Sequence, residues 1–227
     1  MSLGKRLKHW ERNWRHSFNV DPRIAGNERR AKIYNDWFDH AILRRVWTNF
    51  FQIAPGVYRS NQPTHKRFEK IKGMGITHVL NLRGEGTGAA HLTEKKSCAE
   101  LGLILINCQL SARQAAPAEN ILQVIDAFKT IPRPFVMHCK SGADRAGFAS
   151  AIYLIVMQDT PVQQARKMLA VKYAHLRFTK TGVLDYILRS YAARKRHQEI
   201  SFEDWIRTEY DPRKLQADFN NKVPIPS

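Results

Sequence analysis

The sequence predicts an α/β fold, with a central, mostly parallel sheet flanked by helices and a helical extension at the N-terminus. Three observations predict it. Short β-prone apolar runs alternate with longer helix-period segments between residues 57 and 194, the alternation that indicates a parallel sheet covered on both faces. The run Phe135–His138 passes through a tight polar loop into the apolar stretch Phe148–Met157, the order of a strand, a turn and a buried helix. The first 45 residues are rich in Arg, His and Trp, lack a glycine-rich linker and carry apolar residues at helical spacing.

Within that extension Leu3, Leu7, Trp10, Trp14 and Phe18 fall on one helix face, and Lys5, Arg6, Lys8, Arg12 and Arg15 fill much of the rest against Glu11. A basic amphipathic helix of this kind either lies on an anionic membrane or docks its apolar face on the protein's own core. At roughly 1 kcal/mol per cation the charge alone gives weak attraction, so Trp and Leu insertion would have to supply the rest. A second amphipathic helix is predicted over Tyr34–Phe51, with Trp37, Phe38, Ile42, Leu43 and Val46 facing the core. Strands are then expected at Val57–Arg59, His78–Leu82, Leu103–Asn107 and Phe135–His138. Helices are expected at Lys66–Gly73, His91–Leu101, Ala118–Lys129, Arg145–Met157, Val162–Val171 and Gly182–Arg194. The division that follows is an extension over residues 1–45, a main domain over 46–196 and a charged tail over 197–227. The tail holds one short helix, Phe202–Thr208, and a proline-punctuated end.

A chain of 227 residues buries a sound core as one domain with extensions. Its cysteines, Cys98, Cys108 and Cys139, are odd in number and lack a CxxC spacing. That argues against a disulfide framework or structural zinc and suits a reducing compartment. No apolar signal region opens the chain, and Ala146–Met157 is too short to span a bilayer. A cytoplasmic location is expected, with peripheral contact at the inner membrane face through residues 1–18. The formal charge of +17 attracts anions, whether nucleic acid, anionic membrane or a phosphorylated substrate.

The most informative segment is His138-Cys139-Lys140-Ser141-Gly142-Ala143-Asp144-Arg145. A strand that ends at a loop and a helix N-terminus presents free N–H groups and the positive end of the helix dipole. Gly142 lets such a loop curl and approach a ligand, and successive N–H groups of residues 140–145 form an anion nest. Arg145 offers a planar fork for two phosphate oxygens. Near cations at a helix N-terminus a thiol is acidified into its nucleophilic form, so a cysteine at the start of the loop is placed to attack phosphorus.

This segment resembles the signature loop of the cysteine-dependent phosphatases, the protein tyrosine and dual-specificity superfamily. Pro55–Pro63 and Gly75–Arg83 resemble the opening segment and first central strand of its compact bacterial-type members, so that the likeness covers residues 53–190 or so. The resemblance implies a dual-specificity phosphatase fold and a phosphomonoesterase that needs no metal or cofactor. Cys139 would be the nucleophile, and Lys140, Ser141, Gly142, Ala143, Asp144 and Arg145 would bind phosphate.

Two departures matter. The loop Gln109–Gln114 has no carboxylate where the family keeps its general acid. Glu119, in the first turn of a helix, and Asp126, on a solvated face, are poor replacements. Asp144, directly before the loop arginine, resembles the loop acid of myotubularin-like and Sac-like phosphoinositide phosphatases, so it is the candidate acid. The rival is that it only orients Arg145 through a salt bridge. Ala146 stands where the family has Ser or Thr, which implies slow hydrolysis of a phosphocysteine or a substitute hydroxyl such as Ser141. Lys140 resembles a lysine of lipid-directed members. His138 is expected to orient the loop, His138 and Arg113 are the candidate substrate contacts, and Lys172, His175, Arg177 and Lys180 either line an anionic substrate groove or are simply solvated.

The expected partner is a phosphorylated protein, with an anionic lipid or glycolipid phosphate at the inner membrane surface as the alternative. An inactive phosphate-binding adaptor and an RNA 5′-triphosphatase are the remaining readings. Nucleic acid is disfavoured, because no β-surface interleaves aromatic and basic residues to stack bases.

Overall fold

The computed structural model describes residues 9–10, 13–14, 17–21, 24, 26–34 and 47–225. Its order is α1 (Glu28–Ile33), β1 (Phe51–Ala54), β2 (Val57–Asn61), α2 (His65–Gly73), β3 (His78–Asn81), α3 (Ala89–Glu100), β4 (Ile104–Asn107), α4 (Ala118–Thr130), β5 (Phe135–Cys139), α5 (Asp144–Gln158), α6 (Val162–Ala165), α7 (Val183–His197), α8 (Phe202–Thr208) and α9 (Pro212–Asn220). The strands form one sheet in the order β1-β2-β5-β3-β4. β1 is antiparallel to β2 and the other pairings are parallel. β5 therefore lies between two parallel neighbours, and the carboxyl ends of β2, β3 and β5 meet at one edge, where such sheets bind ligands.

The two-residue period of the strands assigns side chains to the two faces. Phe135, Met137 and Cys139 of β5 and Leu80 of β3 join the larger core with α4, α5, α7 and α8. Val136 and Val79 face the smaller core with Phe68, Ile71 and Cys98 of α2 and α3. Cys139 and His138 therefore look to opposite sides of the sheet. α5 is buried without interruption from Ala146 to Tyr153, which is why its sequence shows no amphipathic pattern. A Cβ on Gly147 would lie 2.8 Å from the Met168 carbonyl oxygen and 2.9 Å from Leu169. The missing side chain seats the start of α5 against the 166–169 turn.

Four expectations need correction or lie out of reach. The predicted helix Tyr34–Phe51 falls outside the described residues over 35–46. Its last residues are not helical: 47–50 have no regular structure and Phe51 opens β1. Asn49, with φ of +47°, turns the chain there. The predicted helix Val162–Val171 stops early, passing at Arg166–Met168 into a 3₁₀ turn. The carbonyls of Met168 and Leu169 are taken by Arg59 (2.8 Å) and Arg177 (3.2 and 3.1 Å), so helix bonding ends there. Most of the amphipathic helix Leu3–Phe18 lies outside the described residues. His9, Trp10, Asn13, Trp14 and Ser17 are helical, and Trp10 stacks on Trp14 at 6.4 Å.

The fourth correction concerns the residues after 197. Phe202, Trp205, Ile206 and Tyr210 belong to the larger core, and a helix the sequence reading missed, α9, follows. Asp211-Pro212 was its signal: Asp211 Oδ1 accepts from the Arg213 and Lys214 N–H groups at 2.8 and 3.0 Å, with Pro at the first turn. This end of the chain holds the β4–α4 connection. Tyr210 Oη donates to the buried Ala116 carbonyl at 2.7 Å, and Ala115 N donates to Gln216 Oε1 at 2.8 Å. Tyr210→Phe is expected to cost about 1–3 kcal/mol in urea unfolding, because it leaves a buried acceptor without its donor. Among the described residues no helix is long and apolar enough to cross a membrane.

Candidate active site

β5 ends at Cys139, 1 % exposed, and α5 begins at Asp144. The loop between them is shaped by what its carbonyls bind. Lys140 O accepts from Gln62 N at 3.2 Å and Ser141 O from Asn49 Nδ2 at 3.1 Å. Gly142 O and Ala143 O accept from one nitrogen of Arg59 at 2.5 and 3.2 Å. Four successive carbonyls are thus anchored to the body of the protein. With its carbonyls turned back and α5 starting at its end, the loop can present N–H groups to an anion. Gly142 is required on two counts. Its φ is +74°, and a Cβ there would lie 2.7 Å from Asn61 N and 2.9 Å from Asn49 Cβ.

Arg59 is fully buried and was not singled out from the sequence. Its other terminal nitrogen reaches Met168 O, and its guanidinium lies 3.9 Å from the centre of the Tyr173 ring. Burial pulls its pKa down to about 10, and Tyr173, Cys139 and Asp144 oppose that fall by attraction. A cation thus sits directly beneath the loop, within electrostatic reach of the cysteine.

Arg145 is in the first turn of α5. Its Nε is buried, and the guanidinium has no hydrogen-bond or ion-pair partner among the described residues. Asp144 does not bind it. Asp144 Oδ1 lies 2.8 Å from Nδ1 of His175, which is fully buried and whose Nε2 has no partner among the described residues. Among the described residues no salt bridge joins Asp144 to Arg145, the rival role expected of it; the carboxylate meets the His175 imidazole instead.

His138 is also fully buried. Its Nε2 lies 2.6 Å from Oε1 of Glu94 on α3, and Nδ1 is 3.4 Å from the Cys139 carbonyl. Gln62 Nε2 meets the other Glu94 oxygen at 3.4 Å. Glu94→Ala is expected to destabilise the protein by about 3 kcal/mol in chemical unfolding, since His138 would lose its buried partner.

The other predicted residues are placed as follows. Lys140 is half-buried in the loop, and Ser141 Oγ accepts the Ala143 N–H at 3.3 Å, which engages the proposed substitute hydroxyl. Ser150, one turn after Ala146, donates to the Ala146 carbonyl at 2.6 Å. Arg113 is exposed after β4, and no described bond joins it to the loop. The two remaining cysteines are buried and free, and burial pushes Cys98 up to about 12 and Cys108 up to about 11. Both are poor nucleophiles at neutral pH.

Residues 48–195 match the family model described as PTP-SAK, Swiss Army Knife protein, DSP-PTPase phosphatase domain. TpbA of P. aeruginosa is similar in fold, with 17 % identity and a TM-score of 0.51 over 77 % of this chain and 92 % of that one. A DUF442 protein of Shewanella putrefaciens CN-32 is similar at 17 % identity and a TM-score of 0.52, over 64 % and 93 % of the two chains. At these identities the likeness is one of fold. No curated protein matches the chain in sequence.

Proposed function

The chain belongs to the Swiss Army Knife DSP-PTPase phosphatase family and is a cysteine-dependent phosphatase, and on that premise we propose that it hydrolyses phosphomonoesters through a phosphocysteine on Cys139. The observation that carries this assignment is the loop's carbonyl anchoring, with Cys139 at one end and, at the other, Arg145, which has no partner among the described residues. The Cys139 thiolate attacks phosphorus, the P–O bond to the leaving group breaks, and the phosphoryl group passes to sulfur. Arg145 and the N–H groups of residues 140–145 hold the equatorial oxygens as charge develops on them. Asp144 gives its proton to the leaving oxygen, with His175 positioning the carboxyl group. Water then attacks phosphorus and gives a proton back to the Asp144 carboxylate, the S–P bond breaks, the Cys139 thiolate is restored and phosphate leaves. The Ala146 position supplies no hydroxyl to the departing sulfur, so this second step is slow.

The resemblance of the loop to that of the protein tyrosine and dual-specificity phosphatases favours phosphotyrosine or phosphoserine/threonine proteins as substrates. A second reading, a lipid phosphate, is supported by Lys140 within the loop and by the absence of a carboxylate from Gln109–Gln114. Phosphate release from phosphotyrosine and phosphoserine peptides, phosphoinositides and other phospholipid phosphates in anionic vesicles separates them. Preference for peptides supports the first and preference for vesicles the second. No release from any substrate contradicts the proposed function.

A further inference from the structure

We propose that the segment from Ala170 to Lys180 is a docking surface for an anionic membrane, held at the edge of the phosphate-binding loop. Three apolar side chains there face solvent: Phe178 is 87 % exposed, Val171 74 % and Leu176 39 %. A lone exposed apolar residue needs no explanation, but several on one short segment mark an interaction surface.

Their exposure is built in. Thr179 N, Thr179 Oγ1 and Thr181 Oγ1 all donate to the Leu176 carbonyl, at 3.1, 2.9 and 3.2 Å. This closes a tight turn that holds Phe178 away from the core. Tyr173 anchors the other half of the segment: it is buried, its carbonyl accepts from Asn49 Nδ2 at 3.0 Å, and its ring meets Phe51 edge-on at 5.0 Å. Phe51 is itself 42 % exposed, and nearby Trp47 is 45 % exposed. The segment joins the phosphate-binding loop twice, through Asn49 to Ser141 and through His175 to Asp144.

Charge identifies the partner. From Thr160 to Leu184 the sequence has Arg166, Lys167, Lys172, Arg177 and Lys180 and no Asp or Glu. Asp185 engages Arg166 and Arg177, and Lys172 lies 4.7 Å from the centre of the Tyr173 ring. Lys167, Lys172 and Lys180 remain exposed in the same stretch of chain as the apolar side chains. Protruding apolar side chains interleaved with cations suit a soft anionic interface, which accepts them without a matching pocket. This proposal does not depend on which phosphomonoester is hydrolysed, and vesicle binding is read separately from turnover.

The test is co-sedimentation of the full chain with vesicles of phosphatidylcholine alone or with one-third phosphatidylglycerol. Three proteins are compared: the unaltered chain, Val171→Ser/Phe178→Ser, and Trp10→Ala/Trp14→Ala. Hydrolysis of soluble p-nitrophenyl phosphate is measured in parallel. The unaltered chain is expected to bind the anionic vesicles only. The Val171/Phe178 variant should bind about tenfold or more weakly while its hydrolysis of the soluble ester is unchanged. Each exposed lysine replaced by glutamine should cost about fivefold more. No binding by the unaltered chain, or undiminished binding by the Val171/Phe178 variant, overturns the proposal. Binding lost only in the Trp10/Trp14 variant assigns the contact to the N-terminal residues and also overturns it. Loss of p-nitrophenyl phosphate hydrolysis in the unaltered chain would count against the proposed function instead.

Discussion

Cys139→Ser is expected to abolish turnover of every phosphomonoester the protein accepts, with a fall in kcat on the order of 10⁴ or more. The hydroxyl is a far weaker nucleophile than a thiolate at neutral pH. Phosphate binding should survive the change. The carbonyl anchors come from Gln62, Asn49 and Arg59, not from the cysteine, and Arg145 is untouched. Isothermal titration with a phosphate analogue, run beside steady-state kinetics, separates the two effects. If the serine protein turned over within tenfold of the unaltered chain, the nucleophile would have to be another residue. Cys98 and Cys108 are poor substitutes, because burial holds both thiols protonated.

Asp144→Asn should lower kcat/KM, which reports the step that breaks the P–O bond, by about 10²–10⁴ on a phosphate ester of a poor leaving group such as phenol. On p-nitrophenyl phosphate, whose leaving group needs little protonation, the fall should be far smaller. The split matters because Asp144 also makes a structural contact. Its Oδ1 is 2.8 Å from His175 Nδ1, and His175 belongs to the segment that carries Tyr173, the ring under which Arg59 lies. Asparagine preserves the shape and one hydrogen bond. A residue that only held this contact would affect both esters alike, whereas an acid affects the poor leaving group selectively. Equal losses on the two esters would assign Asp144 to the structure and leave the acid to be found elsewhere.

The residues that could be read in advance were those whose meaning is local. Cys139, Gly142 and Arg145 lie within seven consecutive positions of a strand, a turn and a helix start, so spacing alone joined them. The parallel sheet was legible for the same reason, since each strand and its following helix announce themselves by a change of period. The missed residues act across the chain. Arg59, Asn49 and Gln62 come from before and within the sheet to bind carbonyls of residues 140–143, and a carbonyl has no sequence signature. Glu94 has no local signature that singles it out, and only the packing of α3 sets it against His138. His175 was seen as charge at the rim, while the fold buries it against Asp144.

β1 was missed because its four residues continue the apolar periodicity of the segment before it, and only the turn at Asn49 breaks that run. The end of the chain read as a tail because its charges outnumber its aromatic residues. Those aromatics, Phe202, Trp205 and Tyr210, nevertheless pack on Tyr191 and on one another with ring centres 5.0–6.0 Å apart. The sequence carried this information in the spacing of Phe202, Trp205 and Ile206, three and four residues apart on one helix face.

The most direct measurement is rapid-quench hydrolysis of p-nitrophenyl phosphate at high enzyme concentration, followed by mass spectrometry of the acid-quenched protein. The account predicts a burst of about one p-nitrophenol per enzyme, then a slower steady rate, with a phosphoryl group on the peptide containing Cys139. Strictly linear release from the first turnover, with no phosphoryl group on that peptide at any quench time, would contradict it.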